Sequence, residues 1–460
     1  MFANDLVKHG QKTALITEQA QRISYAELDQ KVQSLISSFS VFTQKQKCLF
    51  LLPANASLAF VIAYLASLRA GHTLLLFNPE ISKEWLENLQ VSYQAHGIFK
   101  TDSDFPVLNS LDNQLFNIHS DLAIMLSTSG STGSPKQVKL SYQNLESNAE
   151  AIAQYLNISS SDVAITSLPL SYSYGLSVLN SHLVKGASIV LSKASLIEKD
   201  FWLLMAEHEV TSFAGVPYSY DMLKRLRFEK KCLPSLRYMT QAGGKLDQAS
   251  VAFFARLLKE QGKLFYVMYG QTEATARIAY VPPNLVLDNP GAIGFPIPEG
   301  MLQLWDEAGE EITEANKVGE LVYFGDNVMM GYALSYADLA LPSALKYLKT
   351  GDMAFRDEQG MFTITGRKSR FIKLFGHRLD LDQIEQGLVS EKLLTACVGN
   401  DQAIHVFMTE SDIEEKIKNY MHAHYSIHPS VIYTHFIEQL PRNDNGKVHY
   451  SMLKKQVGIE

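Results

Sequence analysis

Through residue 270 the chain alternates short apolar, β-rich runs with stretches of helical periodicity. Residues 47–52 read as a strand, 56–70 as a helix and 73–77 as the next strand. The order recurs at 164–169, 176–185 and 188–191, at 211–215 and 218–227, and at 236–241 and 247–260. Strand–helix repetition of this kind predicts parallel βαβ layers. From 290 to 367 the texture changes to short strands with frequent glycines, as in GELVYFGDNVMMGY over 319–332, which predicts a smaller, mostly antiparallel β unit. The remainder is more charged and reads as a compact α+β module. The expected fold class is α/β, with a large N-terminal domain over 1–368 and a small C-terminal domain over 369–460. The first would hold mostly parallel βαβ layers and a small β subdomain at about 290–367. The boundary falls in the polar run Lys368-Ser369-Arg370, and no internal repeat stands out.

Pro53, Asn55 and Arg69 interrupt the most apolar stretch, 51–77, so a strand, turn and buried helix are expected there rather than a membrane span. With 46% hydrophobic and 19% charged positions over 460 residues, the composition is that of a soluble enzyme of two or three domains. A net charge of −7 argues against a dedicated binder of nucleic acid or anionic membranes. Cys48, Cys232 and Cys397 are far apart, with neither zinc-site nor disulfide spacing. They suit a reducing compartment, and MFANDLVKHG lacks the apolar core of a signal peptide, so a cytoplasmic location is expected.

Candidate chemistry begins at 127–136, STSGSTGSPK. Hydroxyls, backbone N–H groups freed by glycine, and one ammonium are what polyphosphate oxygens require. The spacing is not that of a Walker A loop, because Pro135 precedes Lys136 and Gln137 follows it. YGQTEAT (269–275) follows an apolar run and is expected at the C-terminal edge of a strand, where open parallel sheets bind ligands. Glu273 there can ligate magnesium, or equally cap a helix. KTGDMAF (349–355) places Asp352 in a tight turn, where a carboxylate can accept both ribose hydroxyls; alone it is an ordinary turn aspartate. Arg367, Arg370, Lys373, His377 and Arg378 form a basic run, ordinarily a solvated face, broken by Gly376. Near the C-terminus, Lys447 follows the turn-forming pair Asn445-Gly446.

In this order and at these separations, the five segments resemble the adenylate-forming superfamily of acyl- and aryl-CoA synthetases, nonribosomal-peptide adenylation domains and luciferases. The resemblance covers essentially the whole chain. It implies that a carboxylic acid attacks the α-phosphate of Mg·ATP to give an acyl-adenylate and pyrophosphate, after which a thiol displaces AMP. The implied cofactors are ATP, Mg²⁺ and CoA, or the phosphopantetheine of a carrier protein in place of CoA. Carried over by motif, Thr128, Ser129, Gly130, Ser131, Thr132, Gly133 and Lys136 would wrap the β- and γ-phosphates. Gly243, Gly244, Tyr269, Gly270 and Gln271 would form the adenine slot, Thr272 would contact the α-phosphate, and Glu273 would hold the metal. Asp352 and Arg367 would grip the ribose. Lys447 would bridge the acid and the α-phosphate from a mobile C-terminal domain hinged at Ser369, where Asp or Lys is more usual in the family. Rotation would present the face near Gly376 for thiol entry, and Arg378 matches an arginine that reaches phosphate in the CoA-synthetase branch.

LPLSYSYGLS (168–177) matches the segment lining the family's acyl pocket, which makes Tyr172, Tyr174, Tyr218 and Arg277 pocket candidates, or equally packing between sheet and helix. Amino-acid-activating relatives place an Asp where this chain has Ser173, so a free α-amino acid is disfavoured. Arg277 would suit a second acidic group on the substrate. The expected function is therefore a carboxylate–CoA ligase. Its alternatives are a stand-alone adenylation enzyme that loads a carrier protein, and an inactive nucleotide- or acyl-binding regulator. The expected partners are a small carboxylic acid and CoA or a separate carrier protein, with no nucleic acid and no membrane span.

Overall fold

The strands Leu49–Pro53 and Thr73–Phe77 are apolar at almost every position because both faces of their sheet are covered. The helix between them, Leu58–Arg69, is buried from Leu58 to Leu68; it is apolar all round, as a helix inside a layered fold must be. Ser57 caps its start by accepting from the Phe60 amide, and Gly71, at φ +79°, supplies the left-handed turn after its end. The apolar stretch is thus a strand, a buried helix and a strand. Among the described residues no helix is long and apolar enough to cross a membrane.

The computed structural model describes every residue except 44–45, 112, 128–135, 344, 375–376, 426, 443–446 and 460. The chain forms two compact units: Met1–Leu302 with Tyr323–Leu348, and Gln303–Val322 with Lys349–Glu460. The first holds a seven-stranded sheet in the spatial order Gly331–Ala333, Gln137–Ser141, Leu122–Ser127, Thr73–Phe77, Leu49–Pro53, Gly97–Lys100, Val107–Ser110. A five-stranded sheet runs Ser212–Gly215, Tyr238–Gln241, Leu264–Tyr269, Ala279–Val281, Phe295–Pro296, and a four-stranded one is built on Thr13–Ile16, Ser188–Val190 and Val163–Ile165. The expected parallel pairing holds for a run of neighbouring strands in each of these sheets. Other neighbours are antiparallel: Gln137–Ser141 returns beside Leu122–Ser127, and Ala279–Val281 beside Leu264–Tyr269. Between Leu264–Tyr269 and Ala279–Val281 there is only the 3-10 turn Thr272–Ala274, so no helical crossover makes that pair parallel.

In the second unit, Leu348–Arg356 and Phe362–Arg367 pair antiparallel, with Asp352 opposite Arg367. A further three-stranded sheet, Thr395–Gly399, Ile404–Met408 and Ile432–Phe436, carries the helices Leu381–Ser390, Glu414–Tyr425 and Tyr450–Gln456, around a core that includes Ile384, Cys397, Val406 and Ile417. The basic run after residue 366 is not one solvated face. Arg370 is only 9% exposed and pairs with Asp382 and with Glu385, the latter at 2.5 Å. Its guanidinium also donates to the Cys397 carbonyl at 3.0 Å and lies 3.9 Å from the Tyr450 ring centre, while Tyr450 donates to Glu385 at 2.7 Å. A buried guanidinium is tolerable there because acceptors surround it.

Two core histidines of the first unit, His72 and His182, are held neutral by burial, which brings each pKa down from 6.5 to about 4. In the unfolded chain both would protonate near 6.5. Between about pH 6.5 and 4 the unfolded state therefore binds protons that the folded state refuses, and each histidine costs about 1.4 kcal/mol of stability per pH unit as pH falls. Urea midpoints should drop from pH 7 to pH 5, and drop less in His182→Gln. An equal drop in both proteins would show that His182 is not the source.

Candidate active site

At the end of Leu264–Tyr269 the chain must reverse, because Ala279 pairs with Tyr269 on the returning strand. A single 3-10 turn, Thr272–Ala274, followed by Thr275 at φ +64°, closes the reversal. Threonine seldom adopts that conformation; here its hydroxyl donates to the Asn327 carbonyl at 2.8 Å. Only glycine fits at 270, since a Cβ would lie 1.8 Å from the Ala276 carbonyl oxygen. Asn327 is 3% exposed and donates its amide to the carbonyls of Ala274 and Arg277, at 2.8 Å each. Its own oxygen accepts from the Tyr323 hydroxyl at 2.8 Å. Asn148 donates to the Arg277 carbonyl at 3.1 Å, and the Met329 amide to the Glu273 carbonyl at 2.9 Å. The turn is clamped from outside, which fixes where Thr272, Glu273 and Arg277 leave it.

Glu273 accepts a 2.9 Å hydrogen bond from the Tyr332 hydroxyl, and the Lys136 ammonium lies 3.5 Å from the centre of the same ring. Tyr332 is opposite Val138, so strand pairing brings its ring to the lysine that ends the phosphate-type loop. Burial and the neighbouring Glu273 carboxylate raise the Tyr332 phenol above its ordinary pKa and keep it a neutral donor. Among the described residues no group of three His, Cys, Asp or Glu is placed to hold a metal. A single carboxylate nevertheless fits magnesium, which takes one or two carboxylates and completes its shell with phosphate and water oxygens.

The strand Tyr238–Gln241 ends at Gly243-Gly244. Gly243 has φ +82°, and a Cβ there would meet the Tyr172 hydroxyl at 2.5 Å; Gly244 abuts Pro217, and Gln241 donates to its carbonyl at 2.8 Å. Gln271 donates to the Tyr269 hydroxyl at 3.2 Å. Ser173 and Thr272 hydroxyls are 3.3 Å apart. Tyr172 and Tyr174 have ring centres 6.3 Å apart, and the Arg277 guanidinium lies 3.8 Å from the Tyr174 ring centre. Burial raises the Tyr172 phenol and pushes Tyr174 up to about 12, with the Arg277 charge opposing both. Tyr174 and Arg277 line a cavity between the helix Ser173–Lys185 and the five-stranded sheet. Tyr218 is 53% exposed and is not among the residues lining that cavity.

In the second unit Asp352 is 3% exposed, and Arg367 Nε lies 3.1 Å from its Oδ1. Lys447 is half-buried beside the bridge that pairs Arg442 with Val448. Ser369 sits in the 3-10 turn Lys368–Arg370, and Arg378 is opposite Lys373 in a hairpin. Thr128, Ser129, Gly130, Ser131, Thr132, Gly133 and Gly376 lie outside the described residues. Spacing gave no signal for Asn148, Asn327 or Tyr332, because each acts through a segment distant in sequence.

A polyphosphate-type loop lysine, a glycine slot and a clamped carboxylate-bearing turn at parallel strand ends define a nucleotide-binding α/β enzyme. The chain belongs to the AMP-binding enzyme family, whose model matches residues 2–333. It is a member of the adenylate-forming superfamily, with CoA ligases among its relatives. It is 28% identical over 352 residues to a 2-succinylbenzoate–CoA ligase of Bacillus pumilus (strain SAFR-032), a match covering 74% of this chain and 70% of that one. It is 27% identical over 417 residues to tyrocidine synthase 2 of Brevibacillus parabrevis, covering 85% of this chain but only 11% of the synthase. In fold it matches o-succinylbenzoate CoA synthetase from Bacillus subtilis, solved with ATP and magnesium ion, at a TM-score of 0.80 and 21% identity over 98% of this chain and 99% of that one.

The clamp has a measurable consequence. Asn327→Leu would remove one of the two donors to each of the Ala274 and Arg277 carbonyls and take away the acceptor of the Tyr323 hydroxyl, costing about 2 kcal/mol. Chemical denaturation of the variant should show that loss; wild-type stability would mean the turn does not depend on Asn327.

Proposed function

We propose that this chain activates a small carboxylic acid with Mg·ATP and passes the acyl group to a thiol, most readily that of CoA. The observation that carries this reading is the meeting of Lys136 and Glu273 on the Tyr332 ring. A loop cation and a turn carboxylate from different sheets converge there, the pair a metal-bound polyphosphate needs. In the first step a carboxylate oxygen attacks the α-phosphorus, the bond to the β-phosphate oxygen breaks, and pyrophosphate leaves. In the second, a thiolate attacks the acyl carbon and AMP leaves.

The obstacle to the first step is electrostatic, because an anion must approach a polyanion. Magnesium, when bound, would neutralise charge on the phosphates, with Glu273 as its protein ligand. Lys136 and residues 128–133 would hold the β- and γ-phosphates. Gly243, Gly244 and Tyr269 to Gln271 would admit adenine, because bare backbone lets a flat ring approach closely. Thr272 would bond the α-phosphate. Asp352, held by Arg367, would take the ribose hydroxyls. Lys447 would bridge the acid and α-phosphate during adenylation only. A C-terminal module hinged near Ser369 would then carry it away and bring Gly376 and Arg378 toward the incoming thiol.

Pyrophosphate release from Mg·ATP across a panel of acids, each with and without CoA, tests the reading. Release that CoA stimulates is the expected result. Release that only a phosphopantetheinylated carrier protein stimulates would replace CoA by the carrier, and silence throughout would overturn the ligase. Lys447→Ala should lower adenylation by at least about 100-fold while leaving thioester formation from supplied acyl-adenylate largely intact. Equal loss in both half-reactions would remove the alternating lysine.

A further inference from the structure

Arg277 is 3% exposed, yet among the described residues no carboxylate lies within ion-pairing distance of it. Among the described residues its Nε has no hydrogen-bond partner. Nη1 reaches only the neighbouring Ala276 carbonyl, at a long 3.4 Å, and the Tyr155 hydroxyl is close enough to bond the guanidinium. The Tyr174 face, 3.8 Å away, offsets part of the charge. A cation buried on an aromatic face and a weak carbonyl contact is destabilising to keep. Such an arrangement persists where the missing anion arrives with a ligand.

The surroundings say where that anion would sit. Arg277 lines the cavity together with Tyr174, Ser177, Ser212, Tyr238 and Met268, a mixture of rings and hydroxyls without an acid among them. His182, on the same wall, is neutral because burial brings its pKa down to about 4, so it adds no second cation. Of the residues just before Tyr174 in the chain, Tyr172 has its hydroxyl against Gly243 and Ser173 has its hydroxyl 3.3 Å from that of Thr272, so the cavity wall and the proposed adenylation site share one short segment.

We infer that Arg277 pairs with a second carboxylate on the substrate, so that the acid activated here is a small dicarboxylic acid. This rests on the ligase reading above. One carboxylate would be adenylated beside Thr272, while the other enters the cavity and receives the guanidinium's planar fork. A monocarboxylic acid of the same length would leave the guanidinium unpaired and place a methyl or ring edge against it.

The test is pyrophosphate release by the wild-type enzyme with matched acids: succinate against butyrate, glutarate against valerate, isophthalate against benzoate. At least one diacid should exceed its monoacid partner by about 100-fold or more in kcat/KM. Arg277→Met should erase that ratio chiefly through KM, and Arg277→Lys should keep part of it. Thermal stabilisation by the acyl-sulfamoyl adenosine of each acid reads the same preference without turnover. Monoacids used as well as diacids by the wild type would overturn the role of Arg277 and leave the ligase standing. An Arg277→Met enzyme with the wild-type ranking of acids would do the same. No pyrophosphate from any acid would overturn the ligase, and the dicarboxylate with it.

Discussion

The chain reversal after Tyr269 is the constraint on which the site depends. The returning strand pairs with the one it leaves, Gly270 has no room for a side chain, and Thr275 is held at positive φ. Such a turn stores strain that something must hold, and the holders are amides from elsewhere: Asn327, Asn148 and Met329. Because the backbone is pinned, the side chains leaving it are divided between two environments. Glu273 meets Tyr332 on the loop-lysine side, while Arg277 enters the tyrosine-lined cavity. One rigid turn therefore sets the positions of both Glu273 and Arg277, the residues proposed to face the phosphates and the acid.

Two buried arginines show what is unusual about the cavity. Arg370 and Arg277 are 9% and 3% exposed. Arg370 has two carboxylates, a carbonyl and a ring, and its partner Glu385 is itself satisfied by the Cys397 amide and by Tyr450. That is how a fold keeps a charge inside for structural reasons. Arg277 has a ring, a neighbouring hydroxyl and a long carbonyl contact. Burial alone does not separate the two, but the count of acceptors among the described residues does, and it marks Arg277 as the group with room for a further acceptor.

The strand–helix alternation was legible because period and composition change together along the chain, as at 49–53, 58–69 and 73–77. The antiparallel sheet edges were less so, since a β-run looks alike whichever neighbour it joins. The glycines at 243 and 270 could be picked out, and the structure supplies the reason in the space each lacks. Tyr332 and Asn327 could not, because their partners lie some fifty or more positions away and no local pattern encodes a contact of that range. Arg370 was obscured by its neighbours: in sequence it is one cation in a basic run, and only the fold turns it inward.

The two halves of the site differ in how they announce themselves. Phosphate and adenine are chemically constant, so the groups facing them are constant in kind: glycines, hydroxyls and single charges at fixed spacing. The acid varies from enzyme to enzyme, and the group that selects it need not belong to any motif. It shows instead as a local breach of the rules that govern the rest of the core. Here every other described residue lining the cavity is apolar, hydroxylated or a neutral histidine, and one is a guanidinium. Folding alone would favour methionine or leucine at that position, since either would fill the space without a desolvated charge. An arginine at that position is what pairing with a second substrate carboxylate, as proposed, would require.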